Sequence, residues 1–346
     1  MKRNFLYACL IALASVGFTA CESDENGEYG DEKIPEGALP TTEFTLGNLD
    51  DEQYAEDAIK VEVQSTLEGN PEFSSIELFG DGHYLMSGAN NNHAPQQTVK
   101  AKREVDGSVS IVKKRGTKRM ATRANEDGTI IFDNGSYTYG TYTREQKGVY
   151  RFNNGALLDL RKLQEGSSEV VYTNSDGSKS TVYVNYNVDE KPLEMRSICR
   201  SWRMNSFETW HYINGAYMAH GKQWITNGVV SHNVEFSSAA GKWDYDKDDV
   251  LDEDYEFCKR VIFSSSTYLC FYVDGTAEVS GWDWRDRSNG TLYYYDLFDQ
   301  DNTDKWDGYV TVRFKGSQMR VYEDYSESEG GMKFRMINVS TLTAGY

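Results

Sequence analysis

Apolar positions follow two patterns along the chain. Phe5 to Val16 is a single, mainly apolar run, whereas farther on bulky residues recur in short stretches rich in β-branched and aromatic side chains, as in Ser180 to Tyr186 and Val261 to Val273. Short stretches of that composition, bounded by turn residues, predict strands with one face turned inward. The punctuation comes from Asx-Gly pairs, which favour tight reversals because Asn, Asp and Gly tolerate positive φ. Asp81-Gly82, Asp106-Gly107, Asp127-Gly128, Asn134-Gly135, Asn154-Gly155 and Asp176-Gly177 mark the first part of the chain. Asn214-Gly215, Asn227-Gly228, Asp274-Gly275, Asn289-Gly290 and Asp307-Gly308 mark the second. Only Asp50 to Val63 has a composition that would support a helix. The predicted fold class is all-β, with two antiparallel meander domains closed as barrels or sandwiches.

One pair allows a register to be written out. With Asn289-Gly290 as a two-residue loop, Trp284 lies opposite Tyr295, Trp282 opposite Leu297 and Asp286 opposite Tyr293. Alternation then gathers Trp282, Trp284, Tyr293, Tyr295 and Leu297 on one face and Asp283, Arg285, Tyr294 and Asp296 on the other. The aromatic face is the inner one. Carried backward, the same parity puts Ser280 and Glu278 inside and Val279 and Ala277 in water, and a bulge at Gly281 would return Val279 to the interior. For Asp106-Gly107 the same construction pairs Lys100 with Lys113, Lys102 with Ile111 and Arg103 with Ser110. A basic ribbon charged on both faces results, running from Lys100 to Arg123, and it reads as a solvated hairpin or as a surface for an anionic glycan, lipopolysaccharide or the chain's own acidic loops.

Composition changes along the chain. All seven tryptophans follow residue 200 and all five prolines precede residue 193, so the domain boundary is placed at Asn187 to Pro192. The net charge of −18 makes nucleic acid an unsuitable partner, because phosphate contacts need a basic face. Past Cys21 three cysteines remain, Cys199, Cys258 and Cys270, which allow one disulfide and a free thiol in any of three pairings, or no disulfide.

Lys2 and Arg3 before the apolar run have the form of an export signal, and the run is too short to span a bilayer. Phe18-Thr19-Ala20-Cys21 resembles a bacterial lipobox, which implies acylation of Cys21. A plainly cleaved secretory signal is the other reading. Glu22-Ser23-Asp24-Glu25 resembles the acidic export signal of Bacteroidota surface lipoproteins. The expected layout is a signal peptide over 1–20, an acidic flexible tether over 21–40, an N-terminal β domain over 41–190 and a second β domain over 191–346. The expected location is the outer membrane, at the cell surface, held by the lipid anchor.

In the last part Ser197-Ile198-Cys199-Arg200-Ser201-Trp202, Cys258-Lys259-Arg260-Val261-Ile262-Phe263, Tyr272-Val273-Asp274-Gly275-Thr276 and Gly281-Trp282-Asp283-Trp284 resemble the lipocalin-like domains of bacterial lipoproteins. Ser201 stands where that pattern has a glycine, and the insert between Asn214 and Tyr255 is long and polar. The resemblance implies a calycin-type β-barrel whose interior holds a small ligand or is simply packed.

The candidate ligand-binding residues are Trp202, Trp282, Trp284, Tyr293 and Tyr295. Such rings supply apolar area with one polar handle each, and they line a pocket or fill a core. Trp210, Tyr212, Tyr217 and Trp224 form a second aromatic group, suited to stacking on sugar rings or to rim packing. The acidic loops at Asp244 to Glu256 and Asp299 to Asp307 fail the spacing of a calcium loop and read as solvated. No two of the five histidines have a zinc-binding helical spacing, and no G-x-S-x-G elbow occurs. No catalytic residue, metal site or cofactor is therefore expected. The reading is a non-catalytic surface lipoprotein that binds a small apolar molecule or a glycan, with an accessory subunit of an outer-membrane complex as the alternative and a glycan-cleaving enzyme third.

Overall fold

The computed structural model describes residues 59–88, 137–188 and 198–345, apart from 165–166, 243–244, 265, 296–307 and 330, with parts of 38–45, 102–110 and 120–132. The first part contains β1 (Ile59–Glu68), β2 (Phe73–Leu78), β3 (His83–Gly88), β4 (Lys102–Arg103), β5 (Val109–Ser110), β6 (Met120–Ala124) and β7 (Ile130–Phe132). It continues with β8 (Tyr137–Gln146), β9 (Val149–Phe152), β10 (Leu157–Asp159), the single turn α1 (Arg161–Gln164), β11 (Glu169–Thr173) and β12 (Lys179–Val188). Antiparallel pairing runs β1, β2, β3, β8, β9, β10, β11, β12 and back to β1, which closes an eight-stranded barrel. Closure leaves this sheet no free edge. Residues 59–63, expected as helix, are strand: Ile59 and Val61 alternate with Lys60 and Glu62, and the apolar pair is buried in the barrel. Residues 50–58 lie outside the described residues.

The second part comprises β13 (Ser201–Ile213), β14 (Ala216–Thr226), β15 (Val229–Phe236), β16 (Cys258–Phe263), β17 (Thr267–Tyr272), β18 (Thr276–Asp286), β19 (Thr291–Tyr295), β20 (Gly308–Lys315), β21 (Gln318–Glu329) and β22 (Met332–Ala344). Its ring is β13, β16, β17, β18, β19, β20, β21, β22 and back to β13, again eight antiparallel strands. One edge of β13 is divided: Ser201 to Arg203 pair with β16, whereas Ser206 to Ile213 pair with β14. The β14–β15 ribbon thus leaves the ring, and the segment between β15 and β16 packs Val250, Leu251 and Phe257 into the core. Gly221 admits that segment, since a Cβ there would lie 2.6 Å from Val250 Cγ1.

Turns follow the Asx-Gly pairs in two ways. Asn214 and Asn227 take φ of 49° and 51°, each followed by a positive-φ glycine, and make the two-residue loops of the β13–β14 and β14–β15 hairpins. At Asp81-Gly82, Asn154-Gly155, Asp176-Gly177 and Asp274-Gly275 only the glycine is positive and the loop is longer. Asp106-Gly107, Asp127-Gly128 and Asn134-Gly135 lie outside the described residues. The expected register around Asp106-Gly107 is corrected by one residue, because Lys102 pairs with Ser110 and Arg103 with Val109.

The barrels pack side against side. Phe79, Leu85, Tyr137 and Tyr139 of the first form one buried cluster with Ile262, Leu269, Phe271, Ala277 and Val279 of the second. The β6–β7 hairpin joins them, pairing with β8 on one side and with β18 on the other. No bulge occurs at Gly281: β17 and β18 run in unbroken register from Thr267↔Gly281 to Phe271↔Ala277. The simple parity therefore holds, and Val279 and Ala277 face the first barrel instead of water. Gly281 is needed for another reason, since a Cβ there would lie 2.2 Å from the Tyr295 ring.

Candidate ligand site inside the second barrel

The structure separates the five aromatic residues proposed from sequence. Trp202 and Trp282 are fully buried in the second core. Their indole N–H groups donate to backbone carbonyls, Trp202 Nε1 to Ile198 O at 2.9 Å and Trp282 Nε1 to Ser264 O at 3.0 Å. Trp282 meets Phe263 edge-on at 5.7 Å and Trp284 at 5.3 Å. Both are core residues with every polar atom already used.

Tyr293 and Tyr295 lie on the opposite face from the tryptophans, a correction with a clear cause. Trp282 pairs with Tyr294 and Trp284 with Leu292, three residues away from the expected register. Asn289 does not enter the left-handed region, and Asp286 builds a wider loop by accepting from Ser288 N at 3.0 Å and Asn289 Nδ2 at 2.7 Å. The irregularity between Trp284 and Asp286 completes the slip. Inside are Trp282, Trp284, Leu292 and Tyr294. Outside, Tyr293 lies under Arg285 at 5.5 Å, and the ring of Tyr295 covers Gly281. Trp284 is half-buried, and its Nε1 is enclosed without a hydrogen-bond partner.

The interior carries a polar seam that sequence reading did not find. Tyr294 Oη donates to Glu323 Oε1 at 2.8 Å, Asn338 Nδ2 donates to Glu323 Oε2 at 2.9 Å, and Thr209 Oγ1 donates to Asn338 Oδ1 at 2.7 Å. The seam crosses β19, β21, β22 and β13, and direct pairing of Glu323 with Asn338 and of Asn338 with Thr209 sets it in one row. Burial raises the Glu323 carboxyl above the usual carboxylate range, against the lowering pull of its two donors.

Two residues beyond Thr209, on the same face of β13, lies His211. It is fully buried, its Nδ1 is bonded to the hydroxyl of Tyr245, and its Nε2 has no partner. Burial alone lowers its pKa to about 3, so the ring is neutral at ordinary pH. Tyr245 comes from the segment that closes the gap beside β14, and burial raises its hydroxyl pKa. Nδ1 is thus the bonded ring nitrogen, and Nε2 is left as an enclosed polar atom without a partner.

On β21 and β22 the inner-face residues become more exposed toward the Ile213 end of β13. Met204, Met319 and Leu342 are buried, whereas Glu323, Tyr325 and Phe334 are partly exposed. Only period-two counting from Phe207 through Thr209 and His211 to Ile213 would have placed the polar pair inside. It would not have revealed their bonding.

The other sequence candidates resolve differently. Trp210 and Tyr212 are buried on the outer wall, Trp210 stacked on His220 at 4.7 Å and Tyr212 5.8 Å from the exposed ring of Tyr217, while Trp224 is half-buried on the same face of the ribbon. In the acidic loop Asp246 accepts from Asp248 N at 2.9 Å and Asp249 accepts from Asp246 N at 2.9 Å, a capping box on a short 3₁₀ turn. Among the described residues no three His, Cys, Asp or Glu side chains converge on a metal position. Asp299 to Asp307, and the side chains of the basic ribbon, lie outside what is described. Cys199, Cys258 and Cys270 are separate buried thiols. Comparison of the chain with family models, with curated proteins and with solved structures finds no match.

Proposed function

We propose that this chain is a surface lipoprotein, anchored through Cys21, whose second barrel takes a small ligand non-catalytically into the polar end of its interior. One observation carries the reading: a neutral, fully buried His211 keeps its Nε2 without a hydrogen-bond partner beside a seam of hydrogen-bonded side chains, on the inner face whose Glu323, Tyr325 and Phe334 are partly exposed. An orphaned buried polar atom costs about 1–3 kcal/mol, so a ligand group that hydrogen-bonds to it recovers that free energy. Trp282, Leu292 and Phe334 are apolar members of the same barrel interior. The ligand chemistry is therefore amphiphilic, with a hydroxyl, which both donates and accepts, as its polar part. The test is native mass spectrometry and thermal-shift screening of the soluble protein against glycans and against fatty-acid amphiphiles. Saturable binding that is lost in His211→Phe, while that variant keeps its fold by circular dichroism, supports the reading. No saturable binding across both panels sinks it. Incorporation of labelled fatty acid that Cys21→Ser abolishes tests the anchor separately.

A further inference from the structure

Among the described strands of more than two residues, β15 alone has a neighbour on one side only. It pairs with β14 in unbroken register from Thr226↔Val229 to Ala219↔Phe236. The alternation of an antiparallel ladder settles which backbone groups that pairing uses. Thr226 and Val229 close the two-residue loop at Asn227-Gly228, and just past the other end of β15 the N–H of Ser237 donates to Met218 O at 2.8 Å. Both pairs belong to one alternating set, so Ser231, Asn233 and Glu235 also bond to β14. The N–H and C=O groups of Val230, His232, Val234 and Phe236 therefore point away from it, and no described residue hydrogen-bonds to them. Natural sheets blunt such an edge with Lys, Pro or a bulge. The strand Val229–Phe236 contains none of the three, and Val229 and Phe236, 65% and 45% exposed, leave apolar surface at its two ends.

Charge selects the occupant. The 3₁₀ turn Asp254–Glu256 lies along β15, with Asp254 Oδ1 3.0 Å from His232 Nδ1. From Val229 to Glu256 nine Asp and Glu residues stand against two Lys. A second copy pairing antiparallel with this edge about a twofold axis would set its own Asp254 turn beside the first on the same face, like charge against like. The N-terminal segment is engaged elsewhere: Ala38, expected in a flexible tether, is buried with Trp210, Tyr212, Tyr322, Ile337 and Val339, and Thr45 pairs with Phe314 of β20. We propose that the β15 edge takes up a basic, extended segment of another protein as an added strand. Backbone pairing holds the segment, and alternate side chains select it. Residues opposite Val230, His232, Val234 and Phe236 share their face, so a basic residue opposite His232 meets Asp254 and an apolar one covers Phe236. On the other face a basic residue meets the exposed Glu235.

The experiment is residue-resolved amide hydrogen exchange on the full chain, with an alternating Lys-Val peptide as long as β15 as the probe and an alternating Glu-Val peptide as its counterpart. In the free protein the amides of Val230, His232 and Val234 are expected to exchange fast while those of Ser231 and Asn233 are protected. The Lys-Val peptide is expected to protect the outward three, and the Glu-Val peptide to leave them fast. Val234→Pro removes an outward N–H without touching a bond to β14, and should weaken the Lys-Val peptide about tenfold. Glu235→Lys, at an exposed position, should weaken it severalfold and flatten its salt dependence, and this variant keeps the test if Val234→Pro does not fold. Outward amides already protected in the free chain at every concentration mean that the edge is filled from within, and protection that grows with protein concentration means a second copy. Either result overturns the proposal, as does equal protection by the two peptides or a Lys-Val peptide that leaves the outward amides fast.

Discussion

At the scale of single residues, His211 should write itself into the pH dependence of stability. Its pKa in the fold, about 3, lies below the ordinary 6.5, so between these values the unfolded chain binds a proton that the folded protein does not. Stability is then complete above about pH 6.5 and falls as pH drops toward 3, by about 2 kcal/mol at pH 5. Urea titrations at pH 7 and pH 5 should show this loss, and His211→Phe should remove most of it. Glu208 adds a second, more acidic loss. The His220 ring nitrogen 3.3 Å away and a hydrogen bond from Lys222 hold its carboxyl at about 2, so its contribution is present above the ordinary 4.5 and disappears as pH falls from there toward 2. Gly281 gives a steric counterpart. Gly281→Ala sets a methyl against the Tyr295 ring and should cost roughly 1–3 kcal/mol, whereas Gly281→Ala combined with Tyr295→Ser should recover most of that by denaturant unfolding.

At the scale of elements, the seam from Tyr294 to Thr209 is a cross-strand unit whose members depend on one another. Asn338→Leu leaves one oxygen of the Glu323 carboxyl without its donor and Thr209 without its acceptor, and should destabilise by about 1–3 kcal/mol. Adding Glu323→Leu removes the stranded carboxyl, so the double variant should lose less than the sum of the two single losses, as a double-mutant cycle on unfolding free energies would measure. Equal additivity would mean that the seam is three independent contacts. The strands themselves were readable in the sequence, because closure of a meander depends on alternation and on turn residues, both local properties. Register was readable only where Asn accepted the left-handed conformation. Asn214 and Asn227 did so and their hairpins follow the two-residue rule, but Asn289 spends its side chain on Asp286, and the resulting slip moved Tyr293 and Tyr295 to the outer face. Polar members of the seam were not readable, since Thr209, Glu323 and Asn338 look like ordinary strand residues until strands distant in sequence are set side by side.

At the scale of the whole molecule, the apolar residues that sequence reading placed in water explain how the two barrels combine. A closed barrel has one interior and should show a polar outer face, yet β16–β18 are apolar on both faces: Val261, Cys270 and Trp282 point in, while Ile262, Leu269 and Val279 point out. Nothing local distinguishes the two sets, and the apparent need for a bulge at Gly281 arose from assuming a single barrel in water. Two-sided burial instead reports a second body against that wall, and Phe79, Leu85 and Tyr139 supply it. The backbone N–H of Ser201, donated to Asp81 at 2.8 Å, ties the entry of the second barrel to the first, so the chain joint and the apolar contact should act together. The two barrels are then expected to unfold as one cooperative unit. Val279→Asp places a charge in the contact without touching either interior, and an unpaired buried charge is among the few single changes that cost more than about 4 kcal/mol. Differential scanning calorimetry should show one transition for the native chain and two for this variant, while Val261→Ala, inside the second barrel, should lower the single transition without splitting it. A native chain that already melts in two steps would mean that the shared wall contributes too little to couple the barrels.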